Sequence, residues 1–243
     1  MSKLSDRIRR AGKTEPAPMG FAPAARVASP SMLVLARVND AGKIAEALEK
    51  GADAVIAEVN AGKLRAAKLP DGAIVGVLSK EAGRKDAAEL REAGADFLLV
   101  DESSDAGSML DDTLGFVMAV GGDTEDTRLR VIGDLSLDAL LVAAPEPPIT
   151  VARVLEMRRV AGIGRAPLLV EVAADVDVGV LQLLRESGAI GVVVAVAKLK
   201  DVRALVESLP ARGKRPAERG DEALVPAATS AGSHDHDDDD DDD

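Results

Sequence analysis

The chain has 243 residues and a formal net charge of −12, and eight aspartates in its last ten residues, HDHDDDDDDD, supply two thirds of it, leaving −4 for the rest. It contains no Cys, Trp or Tyr and only three Phe, so disulfides, thiolate metal sites and cysteine nucleophiles are excluded. Acidity without aromatic platforms argues against nucleic-acid binding. Both histidines, His234 and His236, lie in the acidic tail, so the body has no imidazole for acid–base work, metal ligation or a Ser-His-Asp triad.

Residues 1–31 read as an N-terminal arm. Lys3–Arg10 can form a short basic helix, and Pro16, Pro18, Gly20, Pro23 and Pro30 then break any regular element apart from a short extended piece at Met19–Ala22. The arm is expected to pack over one end of the domain or over a neighbouring subunit.

Residues 32–210 read as one domain built from a recurring unit. Apolar runs begin at Met32, Ala54, Ile74, Phe97, Phe116, Ala139, Leu168 and Val192. Helix-like segments at Lys43–Lys50, Ala61–Lys68, Arg84–Ala93, Ser104–Leu114, Asp126–Leu135, Ile149–Ala161, Val178–Glu186 and Asp201–Leu209 separate or follow them. Asp40 is placed to cap the first of these helices and Gly51 to stop it. Three joints are near-copies, EKGADAVIAEV, EAGADFLLVDE and ESGAIGVVVAV, in each of which glycine ends a helix before a buried strand. Strands buried on both faces and alternating with helices predict a parallel sheet. Eight such units predict an α/β fold, a (β/α)8 TIM barrel; an open doubly wound sheet is the second choice. If Leu114–Val120 were helical, Met19–Ala22 would have to supply the missing strand.

Residues 211–243 predict a disordered acidic tail, since a Pro/Ala/Ser/Gly-rich piece followed by an aspartate run cannot bury a core. No membrane-length apolar segment is present, and the longest apolar run is Ala189–Ala197. A soluble, cytoplasmic protein with no nucleic-acid or membrane partner is expected.

Function in such barrels gathers at the C-terminal ends of the strands. Period two places Arg37 with Leu35, Glu58 with Ile56, Lys80 with Leu78, Asp101 with Leu99, Glu171 with Leu169 and Lys198 with Val196 on shared strand faces. If those apolar residues line the interior, the six charges crown it. A ring of paired or solvated charges without catalysis is the plain alternative. In the catalytic reading Arg37, Asn39, Asn60 and Ser79 bind substrate, and Glu58, Asp101 or Glu171 move protons.

With the GAIGVVV segment at Gly188–Val194, the body resembles the aldolase-type and phosphate-binding (β/α)8 barrels. The resemblance implies a lyase or isomerase acting on a small anionic metabolite, a carboxylate or phosphate. It implies either a Schiff-base lysine, here Lys80 or Lys198, or a Mg²⁺ held by Asp101, Asp123 and Glu146. The chain departs from those families where their lysine usually sits, having Ala144-Pro145-Glu146 there. It departs again after Glu171, where Asp175 and Asp177 would repel a phosphate. The alternative function is a non-catalytic, degenerate barrel retained as a binding or scaffold subunit; a homo-oligomer is compatible with either.

Overall fold

Eight short parallel strands close on themselves in chain order, each hydrogen-bonded to the next and β8 to β1. They are β1 (Leu33–Val38), β2 (Ala54–Ala57), β3 (Val75–Leu78), β4 (Phe97–Val100), β5 (Gly115–Ala119), β6 (Ala139–Ala143), β7 (Leu168–Glu171) and β8 (Ala189–Ala195). The computed structural model describes residues 2–12, 32–79, 82–146, 148–172 and 175–210, all within one compact unit, Met1–Ala211. The Met19–Ala22 piece, Lys80 and the tail at 211–243 lie outside the described residues.

Helix α1 (Lys3–Gly12) precedes the barrel. The crossovers are α2 (Lys43–Glu49), α3 (Ala61–Ala66), α4 (Arg84–Glu92), α5 (Asp126–Gly133), α6 (Val151–Ile163) and α7 (Val178–Glu186), and α8 (Leu199–Glu207) follows β8. The chain is therefore a (β/α)8 TIM barrel, as the alternation predicts, and the strand at 115–119 leaves no vacancy for Met19–Ala22.

The helix expected over 104–114 is instead a five-residue 3-10 turn, Ala106–Leu110. Side-chain oxygens divert the backbone there: Asp105 accepts from the Gly107 N–H at 2.7 Å, and Asp111 from the Thr113 N–H at 3.0 Å. Asp and Ser offer such local partners in competition with helix, and Gly107 weakens helix further. Asp40 does not cap α2, which begins after Gly42 with no side-chain cap; Asp40 Oδ1 accepts from the Gly42 N–H one step earlier. Strand β8 starts three residues before the expected Val192, because Ala189 pairs with Leu168 and Gly191 with both Leu33 and Leu169. A Cβ at Gly191 would press at 3.0 Å on both leucines, so glycine lets the three strands pair there without displacing them.

The alternation separates two cores. Val34, Ala36, Val55, Leu98 and their equivalents pack under the helices. Leu35, Ile56, Phe97, Leu99, Leu141 and Leu169 fill the barrel interior. Leu4 and Ile8 of α1 belong to the interior cluster, so this helix plugs the N-terminal end of the barrel. Three carboxylates, each immediately before an even-numbered strand, hold it. Asp96 accepts from the Lys3 and Leu4 N–H groups at 2.8 and 2.9 Å, and the Ser2 hydroxyl donates to Asp138. Asp53 pairs with Arg7 at 2.5 Å and with Arg203 at 2.9 Å, and accepts from the Val34 N–H at 2.9 Å. First-turn N–H groups have no partner within their own helix, so the Asp96 contact meets a need the helix cannot meet itself.

Burial pushes the Asp138 carboxyl above its ordinary range; the Ser2 hydroxyl opposes this and the neighbouring Asp96 adds to it. An acid with a raised folded pKa holds a proton that the unfolded chain releases. The resulting stabilisation is complete below the ordinary value of 3.8 and is lost as pH rises through the raised one. Asp138→Asn keeps an acceptor for Ser2 but cannot titrate. Thermal melts from about pH 7 down to about pH 4 should therefore show the wild type gaining on this variant as pH falls. A difference that stays flat would mean that Asp138 does not titrate in this range.

Candidate functional site

At the C-terminal end of the barrel the parallel ladder runs past the strand limits and carries the interior-facing series one residue higher. The Glu58 N–H donates to the Val38 carbonyl at 3.0 Å, and the Val172 N–H to the Val193 carbonyl at 3.0 Å. Arg37, Glu58 and Glu171 thus stand one layer above Leu35, Ile56 and Leu169, as period two requires.

The three side chains form one cluster. Arg37 Nε and Nη2 donate to Glu58 Oε1 at 3.0 and 2.7 Å, and Nη1 donates to Glu171 Oε1 at 2.7 Å. Burial works against the Arg37 charge, but hydrogen bonds and Coulomb attraction from Glu58 and Glu171 outweigh it and raise its pKa above the ordinary value. Both glutamates remain about 40% exposed, at 42% and 39%, so water reaches them.

The cluster sits at a cavity of about 500 Å³ lined also by Val38, Asn39, Lys43, Val172 and Val193–Ala197. Its polar residues come from β1, β2, β7 and the first turn of α2, and its aliphatic wall from the ends of β7 and β8. Lys43 and that wall were not among the residues expected to form the site. Lys43 had a legible signal: only four residues separate it from β1, so the start of α2 must sit over the strand's C-terminal end. A second cavity of about 500 Å³ lies at the opposite face, between α1 and Pro70–Ile74. The Arg7–Asp53 pair that lines it belongs to the helix latch rather than to an open site.

The other expected residues are placed elsewhere. Asn39 lines the main cavity and is exposed. Asn60 is exposed and caps α3, its Oδ1 accepting from the Lys63 N–H at 2.9 Å. Ser79 is half-buried just past β3, and Lys80 lies outside the described residues. Asp101 has the right parity, but its carboxylate closes a turn, accepting from the N–H and hydroxyl of Ser103 at 2.9 and 2.5 Å. Lys198 approaches Asp175 at 3.8 Å and is not part of the main cavity's lining.

The structure does not gather Asp101, Asp123 and Glu146 into a ligand set. Asp101 lines a cleft of about 240 Å³ with Met109 and Ile132, whereas Glu146 lines another of about 270 Å³ with Arg153 and Met157. Asp123 is exposed in the turn after β5. Among the described residues there is no group of three or more His, Cys, Asp or Glu side chains that could hold a metal.

No helix among the described residues is long and apolar enough to cross a membrane. No family model and no curated protein matches this chain. Similar solved structures include a mutant tryptophan synthase alpha-subunit from the hyperthermophile Pyrococcus furiosus, at 15% identity and a TM-score of 0.58 over 74% of this chain and 98% of that one. The tryptophan synthase A-subunit from the same organism, studied for entropic stabilisation, matches at 17% identity and a TM-score of 0.57 over 73% and 94%. A chain of the tryptophan synthase complex from P. furiosus matches with the same identity, TM-score and coverage. At this identity the likeness shows the (β/α)8 barrel and no single family within it.

Proposed function

We propose that the protein is a small-molecule enzyme of lyase or isomerase type, acting on a carboxylate-bearing metabolite at the C-terminal face of the barrel. The observation that carries this reading is the Arg37 clamp, which holds Glu58 and Glu171 at the mouth of a cavity of about 500 Å³. Two positioned carboxylates can remove a proton beside a carbonyl and return one elsewhere, the step common to enolisation and to carbon–carbon cleavage. Arg37 acts as a positioning residue: with its N–H groups on both glutamates it sets their spacing. The solved neighbours, subunits of a synthase, support an enzyme on this fold but carry no substrate across at such identity.

The test is solvent exchange. In D2O, with a panel of small keto acids, the wild type should place deuterium beside the carbonyl. Glu58→Gln and Glu171→Gln should each slow this by about 10²–10⁴-fold. Borohydride trapping on the same panel checks the lysine route, since an adduct on Lys80 or Lys198 would replace this reading with a Schiff base.

A second reading has its own support: Arg37, Glu58 and Glu171 neutralise one another in part, as a non-catalytic binding or scaffold barrel would allow. Ligand-induced thermal stabilisation without exchange or adduct would favour it.

A further inference from the structure

The charges in this cavity do not suit a simple anion. The Arg37 hydrogen bonds within the rim all go to Glu58 and Glu171, so in this cluster of described residues one guanidinium faces two carboxylates and a surplus negative charge remains. Both glutamates bind Arg37 through Oε1, and among the described residues neither Oε2 has a hydrogen-bond partner. The other cation among the described lining residues, Lys43, lies near enough to Glu46 to favour that carboxylate's charged form. Val172, Val193, Val194 and Val196 supply an aliphatic wall with no aromatic surface to stack a base or ring. The wall is also where a phosphate would need glycine-rich backbone, and between Val172 and Ala197 the lining holds none.

Resting on the acid–base reading of the same site, we infer that the ligand is a small aliphatic amino-carboxylate. Its ammonium donates to the free oxygens of Glu58 and Glu171, its carboxylate meets Lys43 and Asn39, and its carbon chain lies on the valine wall. The ammonium half answers the charge that the Arg37 cluster leaves unmatched. The ammonium removes the surplus of the glutamate pair, and charge-assisted hydrogen bonds are the stronger kind. The aliphatic chain gains by leaving water. A phosphate or dicarboxylate would instead bring further negative charge to two carboxylates.

Calorimetric titration of the full-length protein decides this, using straight-chain amino acids from glycine to aminohexanoate as probes. Each is paired with its matching carboxylic acid and alkylamine, and inorganic phosphate is included. At one chain length the amino acid should bind about two- to fivefold more tightly than either partner, the gain expected of one half-exposed ion pair. Glu58→Gln/Glu171→Gln should remove the advantage over the carboxylic acid, and Lys43→Ala the advantage over the amine. Melting curves verify that both variants stay folded.

Equal or tighter binding of the carboxylic acid or phosphate overturns the inference. So does binding of none of the probes, or a preference that survives in the double glutamine variant. Deuterium exchange on keto acids without any preference for the amino acid would leave the acid–base reading standing and remove this one. A preference for the amino acid with no exchange would do the reverse.

Discussion

Replacing Leu4 by alanine is expected to cost about 2–5 kcal/mol of folding stability, although the residue lies outside the strands and crossovers of the barrel. Its side chain is fully buried against the barrel interior. The transfer and cavity costs of a core leucine therefore apply in full. An isolated ten-residue helix is marginal in water, so α1 depends on this docking for its own existence. Loss of the docking would also unseat the contacts of Asp53, Asp96 and Asp138. At a shift of roughly 2–4 °C per kcal/mol for a domain of this size, the melting temperature should fall by about 4–20 °C. Leu110→Ala, at a side chain 65% exposed, is the control and should stay within about 0.5 kcal/mol. Urea unfolding checks both. Equal effects at the two sites would mean that α1 is not part of the cooperative unit.

The second large effect concerns Gly76 and Phe97, which pair across β3 and β4. A Cβ at Gly76 would fall inside the Phe97 ring, so the absent side chain is what gives the ring its place in the core. Phe97→Ala should cost about 3–5 kcal/mol through the cavity it leaves, and Gly76→Ala about 1–3 kcal/mol through overpacking. Together they should cost less than their sum by about 0.5–3 kcal/mol, because the added methyl occupies space the ring has vacated. Strict additivity in a double-mutant cycle would show that the two do not share one volume.

How far the chain could be read without its structure depends on the range of the interaction concerned. The eight strands follow from patterns a few residues long, and these are set by local geometry: side chains alternate along a strand and repeat every three to four residues on a helix. The segment 104–114 misled because its helical length was countable, whereas Asp105 and Asp111 capture backbone N–H groups through side-chain geometry that a count does not register. Within the site, parity in the strand correctly placed Arg37, Glu58 and Glu171 on one face. It gave no guidance for Asp123 and Glu146, which follow the ends of β5 and β6, where alternation no longer governs direction. Asp101 has the parity, but a turn beginning at its own residue engages its carboxylate.

Backbone periodicity within single segments is enough to place the alternating elements, the two-faced burial of the strands and the residues that reach the upper rim. The tertiary structure alone pairs Arg37 with Glu58 and with Glu171, the latter 134 residues away. It alone showed that Leu4 and Ile8 close the lower end over three carboxylates. Such partners are chosen by barrel closure and strand register, which bring together side chains that no local pattern relates.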